Sequence, residues 1–395
     1  MFKHQVCVVG GCGHVGLPLA ITFADRGLKT VIYDINEKTL ARVARGEMPF
    51  LERGAELKLK KTLKNKKLLV SDNPRVISES EHIIIIIGTP IDEFLNPRIQ
   101  DIHRTLKELQ KYLKPGQTII LRSTIYPGTT RLVKNLVKNK NIKVAFAPER
   151  VAQGYAIEEL RSLPQIVSGV DKASALSAEK LFKKIARDVI VLSPEEAELA
   201  KLMTNAWRYI QFAVANQFFT IAEGRGLDFY KIFHAIKHKY PRTADFPSPG
   251  FAAGPCLFKD TMQIAAFAEN SFFLGHAAML INEGLPNFII KQLKENYDLK
   301  KKTVGILGMA FKGDSDDRRD SLSYKLKKAL EVEAEAVLCT DVYIREAGFD
   351  DLKTVLKKSD ILILGAPHKE YQKLKFRQGT RVVDIWNFYG KGANL

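Results

Sequence analysis

Residues 5–10 (QVCVVG) form a short apolar run that passes straight into Gly11-Cys12-Gly13-His14-Val15-Gly16, and a helical pattern follows to Arg26, with Gly27 beyond it. Strand, glycine turn and helix start in that order restrict a fold more than any other local pattern here. The turn must be tight and the helix must pack back on its strand. The next apolar run, residues 29–34 (KTVIYD), ends in Asp34, 18 residues after Gly16. Further runs close on small or polar residues: 82–87 on Gly88-Thr89-Pro90, 117–122 on Ser123-Thr124, and 143–147 on Pro148-Glu149-Arg150. Short apolar strands alternating with helical segments predict a doubly wound parallel sheet. Such sheets bind ligands at the carboxyl ends of their strands, so these closing residues are the first site candidates.

The far end of the chain echoes this pattern. Residues 303–308 (TVGILG), 336–341 (AVLCTD), 360–365 (DILILG) and 381–385 (RVVDI) read as parallel-type strands at βαβ spacing. Between the two regions, Ser193-Pro194-Glu195-Glu196 is a helix start, with Ser as N-cap, Pro at the first helical position and Glu at the third. No Pro or Gly follows before Gly224, which predicts roughly 45 Å of helix at 1.5 Å rise per residue. The predicted class is therefore α/β, with two Rossmann-like doubly wound lobes joined by a central long-helix region. Expected divisions are 1–187, 188–298 and 299–395. A helix of that length often spans lobes or packs against its copy, so a homodimer is expected.

The length of 395 residues agrees with two or three domains rather than one core. Net charge is +17, which by itself suits nucleic acid, a membrane surface or anionic small molecules. The densest basic stretch, residues 58–67 (KLKKTLKNKK), has leucines at helical spacing and no aromatic residue. It lacks the stacking side chains of a single-strand binder and reads as a solvated helix face. No apolar run reaches the roughly 18–20 residues of a membrane span, and the N-terminus lacks a signal-peptide pattern. Cys7, Cys12, Cys256 and Cys339 have neither metal-site spacing nor a disulfide framework. The expectation is a reduced, cytoplasmic protein without metal, membrane or nucleic-acid partner.

Three motifs carry chemistry. The glycine loop with Asp34 suits a dinucleotide, its acid meeting the adenosine ribose hydroxyls and repelling a 2′-phosphate, so NAD is the expected cofactor. Lys201 and Asn205 lie four apart on the long helix, with Arg208 a turn further on, where they could polarise a sugar oxygen or take its proton. Cys256 sits in PSPGFAAGPCLFKD (247–260), a loop leading into a predicted helix. A helix N-terminus with Lys259 and Lys201 nearby would push its thiol toward thiolate, and Asp260, one turn on, could orient a water. A fourth stretch, FKGDSDDRRDS (311–321), is a dense charged loop at a strand's carboxyl end, fit for a phosphate-bearing ligand.

With GGCGHVGLPLA, IIGTP, LRSTIYPGTT, APERVAQG, AELAKLMTNAW, PSPGFAAGPCLFKDT and GMAFKGDSDDRRDS in order, the chain resembles the UDP-glucose/GDP-mannose dehydrogenase family of nucleotide-sugar 6-dehydrogenases along nearly its whole length. The resemblance implies a four-electron oxidation of a sugar C6 alcohol to a carboxylate with two NAD. It implies Lys201, Asn205 and a water at the first step, a thiohemiacetal and thioester on Cys256, and hydrolysis assisted by Asp260. It places NAD contacts on Gly11, Gly13, His14, Val15, Gly16, Asp34, Gly88, Thr89, Thr124 and Arg319. Sugar-nucleotide contacts fall on Glu149, Arg150, Val151, Lys201, Asn205, Arg208, Arg242, Lys259 and Lys312.

PERV and Arg208 resemble the branch oxidising UDP-N-acetylmannosamine or UDP-N-acetylglucosamine, whereas GPCLFKD is closer to the UDP-glucose type. Gln153 stands where the UDP-glucose branch has a second acid. The family's late Asp-Gly-Arg-Asn reads Asp384-Ile385-Trp386-Asn387, so an arginine that reaches the nucleotide sugar is replaced by Trp386. The expected substrate is UDP-N-acetylmannosamine or UDP-N-acetylglucosamine, with UDP-glucose the alternative. A two-electron hydroxyacid dehydrogenase would also place Lys and Asn four apart on a long helix, but gives Cys256 and the second lobe no role. A non-enzymatic NAD or nucleic-acid binder rests on charge and the glycine loop alone.

Overall fold

The computed structural model describes residues 2–88, 91–92, 95, 98–137 and 141–395. They form two compact units, Met1–Thr204 and Asn205–Leu395. In the first unit the strands are β1 His4–Val9, β2 Thr30–Tyr33, β3 Leu68–Ser71, β4 Ser80–Ile85, β5 Thr118–Leu121, β6 Lys143–Phe146, β7 Gln165–Gly169 and β8 Val189–Leu192. They make an 8-stranded sheet in the order β3-β2-β1-β4-β5-β6-β7-β8. All neighbours run parallel except β6 and β7. Its helices are α1 Gly16–Asp25, α2 Glu37–Ala44, α3 Ala55–Lys64, α4 Arg75–Ser78, α5 Ile99–Leu109, α6 Thr129–Leu136, α7 Ala156–Ser162 and α8 Lys172–Phe182.

The near-continuous apolar character of β1 has a direct cause. Successive side chains point to opposite faces, and both faces are covered. Val6 and Val8 join a core with Leu17, Ile21 and Phe23 of α1. Cys7 and Val9 join another with Ile83, Ile85 and Ile119. The sequence pattern did not predict β3, β7 or β8. These strands are short, and β8 keeps Ile190 and Val191 exposed, so its pattern is not that of a buried strand.

Helix α9, Pro194–Glu223, is the predicted 30-residue helix and runs on into the second unit. The Ser193 amide and hydroxyl both donate to Glu196 Oε2, at 2.8 and 2.7 Å, which fixes where the helix begins. The remaining helices are α10 Phe229–Lys237, α11 Leu257–Phe267, α12 Phe273–Asn296, α13 Leu322–Glu333 and α14 Leu352–Lys358. Strands β9 Thr303–Leu307, β10 Ala336–Thr340, β11 Ile361–Leu364 and β12 Arg381–Val383 form a 4-stranded sheet ordered β10-β9-β11-β12. Every pairing in it is parallel. The basic stretch from Lys58 forms much of α3, where Leu59 is buried and Leu57 exposed. Among the described residues no helix is long and apolar enough to cross a membrane.

Candidate active site

The loop after β1 is shaped for a phosphate group at the start of α1. A Cβ on Gly16 would lie 2.7 Å from the Gly11 Cα, so helix and turn can approach only without a side chain, whereas a Cβ on Gly13 meets nothing within 4 Å. The first position is needed for packing and the second leaves the helix N-terminus open to an anion. Asp34 follows β2, and its Oδ2 accepts from the Cys12 amide at 2.9 Å while Oδ1 accepts from Asn36 at 3.0 Å. That places a carboxylate beside the glycine turn, where ribose hydroxyls bind. The loop and the acid therefore fit NAD. His14 meets the Phe50 ring at a tilt, with centroids 4.0 Å apart, and Val15 immediately precedes α1. Gly88 is exposed beyond β4; Thr89 lies outside the described residues. Thr124 is half-buried after β5.

Glu149, in the turn after β6, has a different role from a simple ligand group. Arg122, wholly buried, directs its guanidinium to Glu149 Oε2 at 2.6 and 3.2 Å and to the carbonyls of Ala147 and Pro148. Glu149 Oε1 accepts from the amides of Arg150 and Val151 at 2.7 and 3.0 Å. Both carboxylate oxygens thus build the turn that carries Arg150 and Val151. Sequence reasoning missed Arg122, because nothing local marks an arginine at a strand end as buried.

Helix α9 presents Glu198, Lys201 and Asn205 from a buried face. Glu198 accepts from Gly128 N at 2.6 Å, Thr130 N at 2.8 Å and Thr130 Oγ1 at 2.5 Å. It therefore ties the helix to the start of α6 and to the loop that carries Thr124. Burial holds its carboxyl above the ordinary range, against those donors. Lys201 and Asn205 are separated by one turn, as expected. Arg208, a turn beyond, is exposed.

The second unit brings Asn205, Cys256, Lys259 and Asp260 into one neighbourhood. Cys256 is the N-cap residue of α11 and is exposed. The other cysteines are buried, and burial pushes the thiols of Cys7, Cys12 and Cys339 up to about 12. One turn into α11, the fully buried Asp260 accepts from Asn205 Nδ2 at 2.5 Å and from Lys259 Nζ at 2.6 Å. An ammonium and an amide bonded to opposite oxygens of a buried carboxylate fix its orientation. Asp260 is thus tied to the Asn205 turn of α9.

The cysteine loop is anchored at two glycines. Gly254 donates to Asp320 O at 3.1 Å, and a Cβ there would lie 2.5 Å from the Phe311 ring. It rests on the charged loop predicted from sequence. In that loop Arg319 pairs with Asp317 at 2.6 Å; the pair, with Cys256 and Asp320 adding, holds the guanidinium above its usual range. Lys312 Nζ stands 5.8 Å from the Phe311 ring centre. Gly250 exchanges hydrogen bonds with buried Asn216 of α9, and the Trp386 ring packs against it. Arg242, on the exposed turn Pro241–Thr243, donates to the Tyr240 hydroxyl at 2.9 Å.

Known proteins share the sequence pattern and the fold of this chain. The UDP-glucose/GDP-mannose dehydrogenase family models for the NAD binding, central and UDP binding domains match residues 4–186, 195–283 and 305–391. The UDP-N-acetyl-D-mannosamine dehydrogenase of Pyrococcus horikoshii is 31% identical, the match covering 93% of this chain and 90% of the relative. That of Methanocaldococcus jannaschii is also 31% identical, over 93% of this chain and 86% of the relative. The solved UDP-D-ManNAc dehydrogenase structure from Pyrococcus horikoshii superposes with a TM-score of 0.87 at 30% identity, covering 94% of this chain and 91% of that one. A UDP-N-acetyl-mannosamine dehydrogenase structure from Staphylococcus aureus gives 0.83 at 27%, covering 94% and 90%. With the glycine loop, the thiol at a helix start and a family model on each part, this chain belongs to the UDP-glucose/GDP-mannose dehydrogenase family and is an NAD-dependent nucleotide-sugar dehydrogenase.

Proposed function

We propose that the chain oxidises the C6 alcohol of UDP-N-acetylmannosamine to the carboxylate in four electrons, through a covalent adduct on Cys256. The observation that carries this reading is the thiol at the N-cap of α11, one turn from an Asp260 bonded to Asn205. NAD supplies the hydride acceptor for each of two hydride removals. Lys201 polarises the C6 oxygen, and a water held by Asn205 and Asp260 takes the hydroxyl proton as the first hydride leaves C6. The Cys256 thiolate then adds to the aldehyde carbon; the carbon–sulfur bond forms, and the oxygen takes a proton from Lys201. As the second hydride leaves the carbon, the oxygen's proton returns to Lys201, and a thioester remains. Asp260 draws a proton from water, whose oxygen attacks the acyl carbon, and the carbon–sulfur bond breaks to return the thiolate. The relatives named for UDP-N-acetyl-D-mannosamine support the sugar assignment, as do PERV and Arg208.

In this reading residues 1–187 hold NAD, 188–298 supply the catalytic helix and thiol, and 299–395 hold the UDP moiety. The active form is a homodimer built on α9. Met203, Trp207, Val214, Phe218 and Ile221 are exposed large apolar side chains at helical spacing, a stripe whose natural cover is a second copy.

The test follows NADH against acid formed with UDP-N-acetylmannosamine, UDP-N-acetylglucosamine, UDP-glucose and GDP-mannose. The expected result is two NADH per acid, with kcat/KM for UDP-N-acetylmannosamine about tenfold or more above the others, a preference of ~1.4 kcal/mol. One NADH per product, or a preference for UDP-glucose, overturns the mechanism or the sugar respectively. Cys256→Ser should stop acid formation.

A further inference from the structure

We propose that Trp386 is a positioning residue for the thiol: its ring props the cysteine loop at Gly250 and so sets where Cys256 stands at the start of α11.

Several independent contacts meet at this ring. A Cβ built on Gly250 would fall 2.1 Å from Trp386 Cζ3 and 2.5 Å from Cε3, so the loop backbone lies directly against the indole. The next residue, Phe251, is 3% exposed and meets the same ring edge-on, with centroids 6.3 Å apart. Trp386 Nε1 donates to Leu364 O at 3.1 Å, at the end of β11, and its amide donates to Asp384 Oδ1 at 3.2 Å. The indole is thereby fixed to the parallel sheet on one side and to the loop on the other. Opposite it, Asn216 closes a two-way amide pair with Gly250, at 2.9 and 3.0 Å, and is itself held by Asn282 at 2.9 Å. Gly250 is bonded to an amide on α9 and packed by a ring that is itself bonded to the end of β11.

From Gly250 the chain reaches Cys256 through Phe251-Ala252-Ala253-Gly254-Pro255, with Gly254 as a second anchor. A loop pinned at both points delivers the sulfur to one place. Arg319, paired with Asp317, lies close enough to Cys256 for their charges to interact, and Lys259 and Asp260 follow the thiol on α11. Without the ring, the first anchor loses its backing and the thiol drifts from the helix N-terminus and from Arg319. Both favour thiolate. A displacement of about 1 Å at a reacting group can cost roughly a hundredfold in rate.

This inference rests on the proposed four-electron reaction for one of its two readouts and stands free of it for the other. The experiment compares wild type, Trp386→Phe and Trp386→Ala, each checked for a cooperative melt by circular dichroism. The first readout is the rate of Cys256 alkylation by iodoacetamide from pH 6 to 9, which needs no sugar. Trp386→Ala should react about tenfold more slowly near pH 7, its profile moved to higher pH, and Trp386→Phe should stay within about twofold of wild type. The second readout uses UDP-N-acetylmannosamine with a hydroxylamine trap. Trp386→Ala should lose kcat for acid with KM within about twofold, and release trapped aldehyde, so that NADH per acid rises above two. A folded Trp386→Ala with wild-type alkylation overturns the inference. Should the wild type turn over no sugar nucleotide, the functional reading falls while alkylation still decides the role of Trp386. If Trp386→Ala does not fold, Gly250→Ala, which drives a methyl into the same ring, is judged by the same criteria.

Discussion

The two Rossmann-like lobes open with the same few bonds and then diverge. After β1, Gly10 N donates to Tyr33 O at 2.9 Å; after β9, Gly308 N donates to Thr340 O, also at 2.9 Å. In each lobe the second strand is followed by an acid, Asp34 or Asp341, that accepts from the loop after the first strand. Asp34 takes one amide of that loop and one of its own turn, and stays partly exposed. Asp341 takes the amides of Met309, Ala310, Tyr343 and Ile344, at 2.6 to 3.1 Å, and its side chain is fully covered. His368, also fully covered, adds Nε2 at 3.1 Å, and its Nδ1 accepts from Asp314 N at 3.0 Å. That acceptance fixes the tautomer with the proton on Nε2, pointing at Asp341. One topology therefore yields two outcomes: an acid left open for a ligand, and an acid turned into a structural rivet under the charged loop 311–321.

The comparison breaks first at Asp341. Asp341→Asn puts an NH2 among donors and should destabilise the protein by about 3–5 kcal/mol, read from denaturant midpoints. A loss under 1 kcal/mol would mean that the second acid is no rivet. His368→Ala removes one donor to Asp341 and the acceptor for Asp314 N, and leaves a cavity. Its expected cost is about 2–4 kcal/mol, with altered presentation of Lys312 and Arg319 visible as a raised KM for the sugar nucleotide. Asp34→Asn is the counterpart in the first lobe. It should raise KM for NAD about tenfold, ~1.4 kcal/mol of binding, and change stability by less than about 1 kcal/mol. A large stability loss there would make the two acids alike.

The legible part of this molecule was the part written locally. Strand ends marked by Gly, Asp or Ser, the helix start at Ser193 and the long uninterrupted run behind it are short-range patterns, and each lies where it was expected. The cysteine loop was legible as a glycine-rich lead into a helix; that Gly250 and Gly254 lie against the Trp386 and Phe311 rings of the chain itself was not. What stayed hidden depends on partners distant in sequence. Arg122 meets Glu149 across 27 residues and Gln165 across 43. Asp341 meets His368 across 27. No periodicity announces that a histidine after LILGAP will point at an aspartate after β10. Trp386 was noticed only for the arginine it replaces; its packing on Gly250 could be seen only once the sheet was assembled. β7 escaped because its sequence, QIVSG, holds only Ile166 and Val167 as large apolar residues between Gln165 and Ser168-Gly169.

The smallest expected effect sharpens the comparison through pH. Burial alone would raise the Asp341 carboxyl, yet His368 and the amides of Tyr343 and Met309 hold it below its ordinary value near 3.8. A carboxyl depressed in the folded state contributes stability that is fully present above its unfolded value and is lost as pH falls through its folded value. The stability gap between wild type and Asp341→Asn should therefore be flat from pH 7 to 5 and narrow only below about pH 4. Glu198, in the first unit, runs the other way. Burial raises its carboxyl, so the folded state favours its proton, and its unfavourable contribution grows as pH rises past the ordinary glutamate range. Differential scans from pH 3 to 7 separate the two, because the Asp341→Asn gap cancels whatever Glu198 contributes to both proteins. A gap that narrows already at pH 6 would show that burial wins over His368 and the amides and raises the Asp341 carboxyl, so that the second lobe's acid is no rivet.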